Sequence, residues 1–508
     1  MRTFEPDETS EGSSVSTRAL TRGTGPAFVL DERTVWKRRS RHLIGGEPAR
    51  LVRLSEAADS VLAVSLSRRP ALSAREARAM RRLIAGGLVH PRPIPREGPL
   101  PVEVTIPSFE PGPTLGRLVA DLSAGSVPVV VVDDASPDGA RASETACGGR
   151  ARLVRRETRG GPAAARMSAV GESEFVAFVD ADIELDPSDA LGWIRTCLAH
   201  FDDESVGAVA PRVVARRRGG EGAAISSYEE LESPLDMGES PGIVGSGRRH
   251  TYVPSAALML RKEAFQEVGG FDPSLYHGED VDLVRRLEKG GWTVRYEPAV
   301  TVFHSPRAST FAFARQRFSY GRSAAVLHRR HPGTVAPYTG SAVATTAGLA
   351  LLAAAIGRRP VAWLLVAGAC TAAVWGSLAR IFEADGVAGS WSEAAASAVS
   401  SSASATGGLL AAIRRAWWPF LAPFVVCRRT RRRALALLLG AFGAGHGGAA
   451  VVAARRERHL RRFVSHVLLA LLDDASYGAG VVVGCVAAGS PGALRPVVRW
   501  RPTGRRAR

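Results

Sequence analysis

Residues 127–136 read VPVVVVDDAS, a run of valines that ends in two adjacent aspartates. Continuous valine is typical of a strand that is buried on both faces of a sheet. Three further apolar runs, Val102–Ile106, Phe175–Val179 and Gly207–Ala210, occur in the same part of the chain, with helical stretches between the earlier ones. This alternation predicts an α/β layer fold with a mostly parallel sheet.

Acidic residues directly follow the valine-rich strand. Ligands of open α/β sheets bind outside the carboxyl ends of the strands, so Asp133 and Asp134 could accept hydrogen bonds from a nucleotide base or ribose. The sequence Asp-Asp-Ala-Ser-Pro-Asp-Gly is equally typical of a surface turn. This motif alone therefore leaves both interpretations open.

A second acidic motif, in FVAFVDADIELDP, follows the strand Phe175–Val179. Asp180 and Asp182 could both reach one divalent cation, Mg²⁺ or Mn²⁺, that also bridges to substrate phosphates. A calcium loop beginning at Asp180 is excluded, because it would need Gly and Glu where this chain has Leu185 and Leu191. A turn or capping role for Asp182 remains an alternative.

A glycine-containing motif, TRGGPAAAR, occupies residues 158–166. Pro162 suits the first position of a helix, so the glycines before it could present backbone amides to a phosphate. No GK[ST] sequence follows, which excludes a P-loop. An ordinary loop that leads into a helix is the alternative.

The motif LYHGEDVDL, residues 275–283, places two acids at the start of a predicted helix. The helix dipole alone would stabilise Glu279 and Asp280 there. A carboxylate held over a sugar acceptor could instead take the proton from an attacking hydroxyl. His304, which follows a later strand, is a metal ligand, a phosphate contact or a structural histidine.

Six stretches of the chain resemble, in the same order, motifs of the family 2 glycosyltransferases of the GT-A fold. They are VTIPSF, VVVVDDAS, RGGPAAAR, VDAD, VPSAALMLRKEAFQEVGGFD and GEDVDLVRRLEKGGWTVRYEPAVTVFH. The resemblance covers about residues 102–305 and implies an inverting displacement that gives a β-linkage from an α-linked nucleotide sugar. It implies that the nucleotide sugar is bound by Pro107, Asp133 or Asp134, Arg159 and Asp180. It implies that the metal ion is bound by Asp180 and Asp182, with His304 as a further ligand. It also implies that Asp280 is the catalytic base, with Glu279 beside it.

Two positions depart from common patterns of that family. Processive synthases carry Gln-x-x-Arg-Trp after the base, whereas Gln316 is followed here by Arg317, Phe318 and Ser319, which argues against long-chain synthesis. Arg159 stands where Asn is frequent and adds a positive charge near the expected diphosphate.

Four stretches outside the core resemble family members that glycosylate the precursor of a peptide-derived redox cofactor. They are PARLVRLSEAA, AGGLVHPRP, RQRFSYGRSAAVLHRRHPG and LLDDASYGAGVVVGC. This resemblance implies a peptide-derived acceptor and β-1,4-linked glucose from a nucleotide donor, UDP-glucose. One alternative is a transferase for a polyprenyl phosphate or another cell-envelope lipid. Another is a non-catalytic peptide-binding assembly protein whose acids only form turns and caps.

Composition divides the chain into five parts. Residues 1–25 predict a disordered leader, 26–92 a small α+β domain similar to peptide clamps, and 93–100 a proline linker. Residues 101–330 are the expected glycosyltransferase domain, and 331–508 a hydrophobic, Arg-rich helical region associated with the membrane. The leader lacks the apolar core of a secretory signal, which predicts a catalytic domain on the cytoplasmic side of the membrane.

The net charge of +17 lies almost wholly in the last of these regions, which has 21 Arg, no Lys and 6 acids. The remainder of the chain is close to neutral, which argues against nucleic-acid binding and favours an anionic membrane surface as partner. Candidate spans are 332–357, 361–379 and 434–454, whereas 463–472 is too short alone. Arg on both sides of the spans conflicts with a positive-inside topology, which leaves in-plane helices or the buried helices of a soluble domain as alternatives.

Overall fold

The computed structural model describes residues 27–217, 219–220, 222–457 and 460–500, so the predicted leader at residues 1–25 lies outside the described residues. The described chain divides into two compact units. The sheet unit comprises residues 27–217 and 233–306, and the helical unit comprises residues 219–232 and 307–500. This division by contacts differs from the domain boundaries expected from composition, which remain predictions.

Residues 27–92 of the sheet unit form an N-terminal subdomain. Its elements are β1 (Phe28–Leu30), β2 (Val35–Lys37), β3 (His42–Gly45), β4 (Arg50–Arg53), α1 (Glu56–Ser65), α2 (Ala74–Ala85) and β5 (Val89–Pro91). Ser55 caps α1, and Ser73 with Glu76 forms a capping box at α2. β1 pairs with β5, and β2, β3 and β4 form an antiparallel sheet.

The core of the sheet unit is a sheet of nine strands. They are β6 (Val102–Ser108), β7 (Val129–Asp133), β8 (Arg152–Arg155), β9 (Phe175–Val179), β10 (Ile183–Glu184), β11 (Val206–Ala215), β12 (Gly242–Val244), β13 (Ala257–Arg261) and β14 (Thr293–His304). The order is β10-β14-β11-β13-β9-β6-β7-β8, and β12 pairs with β14. The four predicted strands are all present, and the burial of β7 along its whole length matches its valine sequence.

The expectation of a mostly parallel sheet is confirmed, because six of its nine strands run in the same direction. β6, β7, β8 and β9 pair in parallel, as do β11 and β14, but β13 is antiparallel to both of its neighbours, β9 and β11. β10 and β12 are both antiparallel to β14, so three of the nine strands run against the other six.

Six helices cover this sheet: α3 (Thr114–Ala124), α4 (Arg141–Cys147), α5 (Gly161–Met167), α6 (Gly192–His200), α8 (Lys262–Glu267) and α9 (Glu279–Lys289). Successive residues of β9 face opposite sides. Ala177 packs in the same cluster as Leu118 of α3, whereas Phe178 packs with Phe265 of α8 and Leu283 of α9. Apolar burial on both faces holds the strand ends in fixed positions, where the acidic motifs begin.

The helical unit contains the remaining elements: α7 (Ala223–Glu232), α10 (Thr310–Arg330), β15 (Thr339–Ser341), α11 (Ala342–Ile356), α12 (Pro360–Ala384), α13 (Ser390–Ala412), α14 (Trp418–Val426), α15 (Arg431–Glu457), α16 (Leu460–Ala487) and β16 (Val497–Arg499). Glycines let α10 and α16 approach closely. A Cβ at Gly480 would lie 2.1 Å from the carbonyl oxygen of Phe318, so only glycine fits there.

Four stretches of the described chain are long and apolar enough to cross a membrane: Pro360–Ala384, Ser390–Val426, Arg431–Arg455 and Leu460–Ala487. The expected span at residues 332–357 is wrong, because its only helix is α11, whose 15 residues reach about 22 Å against a bilayer core of about 30 Å.

The segment 463–472, expected to be too short to span alone, belongs to the 28-residue helix α16. Asp473 and Asp474 interrupt its apolar pattern but not the helix, because both carboxylates are buried and paired. Asp473 accepts a hydrogen bond from Arg317 at 2.9 Å, and Asp474 accepts one from Arg414 at 2.8 Å. Paired charges of this kind are tolerated inside helical bundles.

Candidate active site

Asp133 ends β7 and is fully buried. Its carboxylate accepts hydrogen bonds from the backbone N–H of Ser136 at 2.9 Å and from the hydroxyls of Ser136 and Ser143 at 2.7 and 2.8 Å. Three internal donors fix the turn after the strand. The Asp133 side chain therefore shapes the site, and its contact with a nucleotide remains a prediction.

Asp134 joins the end of β7 to the glycine motif. Its carboxylate accepts from the backbone N–H groups of Gly160 and Gly161, at 3.0 and 2.7 Å, and from Arg156 at 2.5 Å. Gly161 has φ of +84°, and a Cβ there would lie 2.7 Å from the ring of Tyr276, so the position requires glycine. The two motifs predicted from the sequence are thus brought together by direct hydrogen bonds.

Arg159 and Phe109 form a stacked pair near this loop, with the guanidinium carbon 3.5 Å from the ring centroid. Pro107 lies in β6 opposite Val132 of β7. The carbonyl oxygen of Ser108 accepts from the backbone N–H of Asp134 at 2.8 Å. Three of the residues predicted to bind nucleotide sugar, Pro107, Asp133 and Asp134, are therefore grouped at the carboxyl ends of two parallel strands.

Asp180 and Asp182 follow β9, as predicted. The Asp180 side chain is 35% exposed and accepts from Arg166 at 2.6 Å. The carbonyl oxygen of Asp182 accepts from the backbone N–H of Ser305, so β10 and the end of β14 fix this turn. One partly exposed carboxylate and a second acid two residues later suit a hard divalent cation that also takes water and phosphate oxygens as ligands.

His304 ends β14 and pairs with Ile183 of β10, one residue after Asp182. Its imidazole is buried, with Nε2 3.4 Å from the hydroxyl of Ser233. Among the residues that the structure describes, no three His, Cys, Asp or Glu side chains are grouped so as to hold a metal ion. The metal roles of Asp180, Asp182 and His304 therefore remain predictions.

Arg166, in α5, connects two of the acidic motifs. Its side chain is 2% exposed and donates to Asp180 at 2.6 Å and to Glu279 at 2.9 Å. Sequence reasoning placed Arg166 only as the last letter of TRGGPAAAR and gave it no role. The signal was present, because Arg166 is the one charged residue in the small apolar helix 161–167.

Glu279 and Asp280 begin α9, after Gly278 with φ of +82°. The Ser255 hydroxyl donates to Glu279 at 3.2 Å, and the Ser255 backbone N–H donates to Asp280. Burial, together with the neighbouring charge of Glu279, raises the pKa of Asp280 to about 7. A carboxylate that exchanges its proton near neutral pH is suited to general-base catalysis.

Comparison with known proteins agrees with this geometry. Residues 103–269 match the family model for glycosyl transferase family 2. These residues of the sheet unit are therefore similar to family 2 glycosyltransferases. The match and the mixed α/β sheet confirm the resemblance and the GT-A fold class predicted from the motifs. The matched range ends before Glu279 and Asp280.

Relatives with curated names include the pre-mycofactocin glycosyltransferase of Mycobacterium tuberculosis, 37% identical over 300 residues, which are 58% of this chain and 61% of the relative. N-acetylglucosaminyl-diphospho-decaprenol L-rhamnosyltransferase of the same organism is 28% identical over 40% of this chain and 75% of its own length. Among solved structures, S. aureus TarS 1–349 is 18% identical with a TM-score of 0.33, covering 44% of this chain and 64% of TarS 1–349.

Proposed function

We propose that this chain is an inverting, metal-dependent glycosyltransferase that transfers glucose from UDP-glucose to pre-mycofactocin as β-1,4-linked units. One observation carries the proposal. The guanidinium of Arg166 donates hydrogen bonds to both Asp180 of the metal motif and Glu279. Glu279 is the neighbour of the proposed base. A single displacement needs its donor site and its base this close together.

The proposed reaction is one displacement at the anomeric carbon. Asp280 takes the proton from an acceptor hydroxyl as that oxygen forms the new bond to the sugar, and the bond to the diphosphate breaks on the opposite face. Glu279, held by Arg166 and Ser255, keeps the start of α9 in position. Asp180 and Asp182 would hold a divalent cation, which neutralises charge on the leaving diphosphate.

The choice of acceptor rests on the relative that is named pre-mycofactocin glycosyltransferase. That relative is 37% identical to this chain over 58% of the length of this chain. The N-terminal subdomain, which resembles peptide clamps, suits a peptide-derived acceptor. A polyprenyl-phosphate lipid is the second candidate, favoured by α12, since 6% of its most apolar window is buried. A non-catalytic peptide-binding protein is a third possibility, which would show no transfer at all.

Acceptor class is tested by offering the purified full-length chain pre-mycofactocin or a polyprenyl phosphate, each with labelled UDP-glucose and other sugar nucleotides. We expect label on pre-mycofactocin from UDP-glucose, detected by mass as added hexose units. Label only on the lipid would select the second candidate, and no transfer to either would favour the non-catalytic protein.

EDTA should stop turnover, and Mg²⁺ or Mn²⁺ should restore it. Turnover unchanged by EDTA would contradict the metal role of Asp180 and Asp182.

We also propose that the helical unit attaches the chain to a membrane, through exposed apolar side chains of α12 such as Val361, Leu364 and Leu365. The exposed arginines at residues 428–433 would contact anionic headgroups. After cell fractionation, detergent should be needed to release the chain, since α12 is an apolar helix of 25 residues, most of which are exposed. Release by high salt without detergent would indicate peripheral attachment through arginine instead.

A further inference from the structure

Residues 248–255, between β12 and β13, form a segment that contacts the N-terminal subdomain at one end and the proposed catalytic carboxylates at the other. We call it the connecting segment. It lies wholly within the sheet unit. One segment of eight residues therefore contacts two sites that the sequence gives no reason to associate.

At its first end, Arg249 faces three carboxylates of the subdomain. The guanidinium lies 3.4 Å from Asp31, 3.0 Å from Glu32 and 3.5 Å from Glu47, and the Arg249 side chain is 12% exposed. Beside it, Arg248 donates to the carbonyl oxygen of Ala85 at 3.2 Å. A largely buried guanidinium shared by three carboxylates is far more constrained than an exposed ion pair.

At its other end, the segment donates hydrogen bonds to the carboxylates of both Glu279 and Asp280. The hydroxyl of Ser255 donates to Glu279 at 3.2 Å, and its backbone N–H donates to Asp280.

The connecting segment is also bonded along its length to α9, the helix that carries those acids. Arg285 of α9 donates to the carbonyl oxygen of Thr251 at 2.8 Å, and the Arg285 side chain is 2% exposed. Just before the segment, Glu288 of α9 accepts from the backbone N–H of Ser246 at 2.9 Å. The segment and α9 therefore form one bonded piece of structure that reaches from the subdomain to the base.

We propose that the N-terminal subdomain sets the position of the proposed base, with Arg249 as a positioning residue that acts through the connecting segment on Glu279 and Asp280. This inference rests on the proposed function, since it takes Asp280 as the base. It gives the subdomain a role in the chemical step, whereas a peptide clamp alone would act only on acceptor binding.

The test compares Arg249→Ala, Arg249→Lys and a matched control, Arg96→Ala, in the full-length chain. Arg96 also forms an ion pair, with Asp202 at 2.8 Å, but it does not contact the connecting segment. For Arg249→Ala we expect kcat to fall about tenfold, with KM for UDP-glucose unchanged within about twofold. Arg249→Lys should recover part of kcat, because one ammonium can pair with only some of the three carboxylates. Arg96→Ala should match the unsubstituted chain.

The pH profile separates positioning from a merely structural role. The Ser255 N–H bond favours the charged form of Asp280, so loosening it raises the pKa of Asp280. The acidic limb of the kcat profile should therefore move to higher pH in Arg249→Ala and move back in Arg249→Lys. If Arg249→Ala does not fold, Glu47→Gln removes one of the three ion pairs and should produce a smaller change in the same direction.

Two results would overturn the inference: a rise in acceptor KM with kcat and the pH profile unchanged, or a lower melting temperature with full kcat. Failure of the proposed function is recognised separately. If Asp280→Asn keeps transfer activity, Asp280 is not the base. If Asp280→Asn is inactive while Arg249→Ala and Glu47→Gln keep a normal kcat and profile, only the positioning role of Arg249 is lost.

Discussion

Replacing Asp280 with Asn should reduce kcat/KM for glucose transfer by about 10³-fold, because the amide cannot take the proton from the acceptor hydroxyl. A loss of this size corresponds to about 4 kcal/mol of transition-state stabilisation. Asn has nearly the same shape as Asp, so binding of UDP-glucose, measured by calorimetry, should change by less than about twofold. The control is Glu263→Gln, an exposed carboxylate on α8, which should keep full activity.

The same assignment fixes the direction of the pH dependence. Burial and then Glu279 raise the pKa of Asp280 to about 7, and the base works only when deprotonated. In the unsubstituted chain kcat/KM should therefore fall about tenfold per pH unit below about pH 7 and level off above it. The residual activity of Asp280→Asn should lack this limb. An Asp280→Asn variant that retains both the rate and the limb would remove Asp280 as the base.

Much of the sheet unit was predictable from local sequence. Apolar runs in the sequence identified four strands, β6, β7, β9 and β11. The antiparallel direction of β13 was not predictable, because its sequence ALMLR is as apolar as that of a parallel strand.

The site was predicted as separate motifs, and their joining was not. Asp133 or Asp134 was expected to contact a nucleotide, and the sequence did not show that the carboxylate of Asp134 also binds the backbone of Gly160 and Gly161, 26 and 27 residues later in the chain. Arg166 and Glu279 are 113 residues apart. Pairing over such distances follows from the packing of α5 and α9 at one edge of the sheet, and no periodicity in the sequence encodes it.

The helical unit shows a related limit. Apolar composition predicted long helices, but Asp473 and Asp474 broke the pattern that marks a continuous one. Their partners Arg317 and Arg414 are 156 and 60 residues away in the chain. A short stretch of sequence therefore shows the charges whose burial is unfavourable, but it does not show the distant arginines that compensate for them.

Replacing Arg166 with Met should produce the largest loss of stability of any single change at the site. Met fills much of the same volume but leaves the buried carboxylate of Glu279 without its cation, and breaking a buried pair in this way costs about 3 kcal/mol or more. The melting temperature of the full-length chain should fall by about 6 °C or more. Arg117→Ala, which removes an exposed ion pair with Asp121 on α3, should change it by about 1 °C at most.

A second substitution identifies the cause of that loss. Because the cost comes from an unpaired charge, the double variant Arg166→Met with Glu279→Gln should regain a large part of the melting temperature, while transfer activity stays low since the start of α9 is no longer held. Arg166→Lys should lie between the two, as one ammonium cannot donate to Asp180 and Glu279 in the fork that the guanidinium provides. If the double variant were less stable than Arg166→Met, the guanidinium would be holding the site through packing against Phe271, 5.2 Å away, and charge compensation would not be its main contribution.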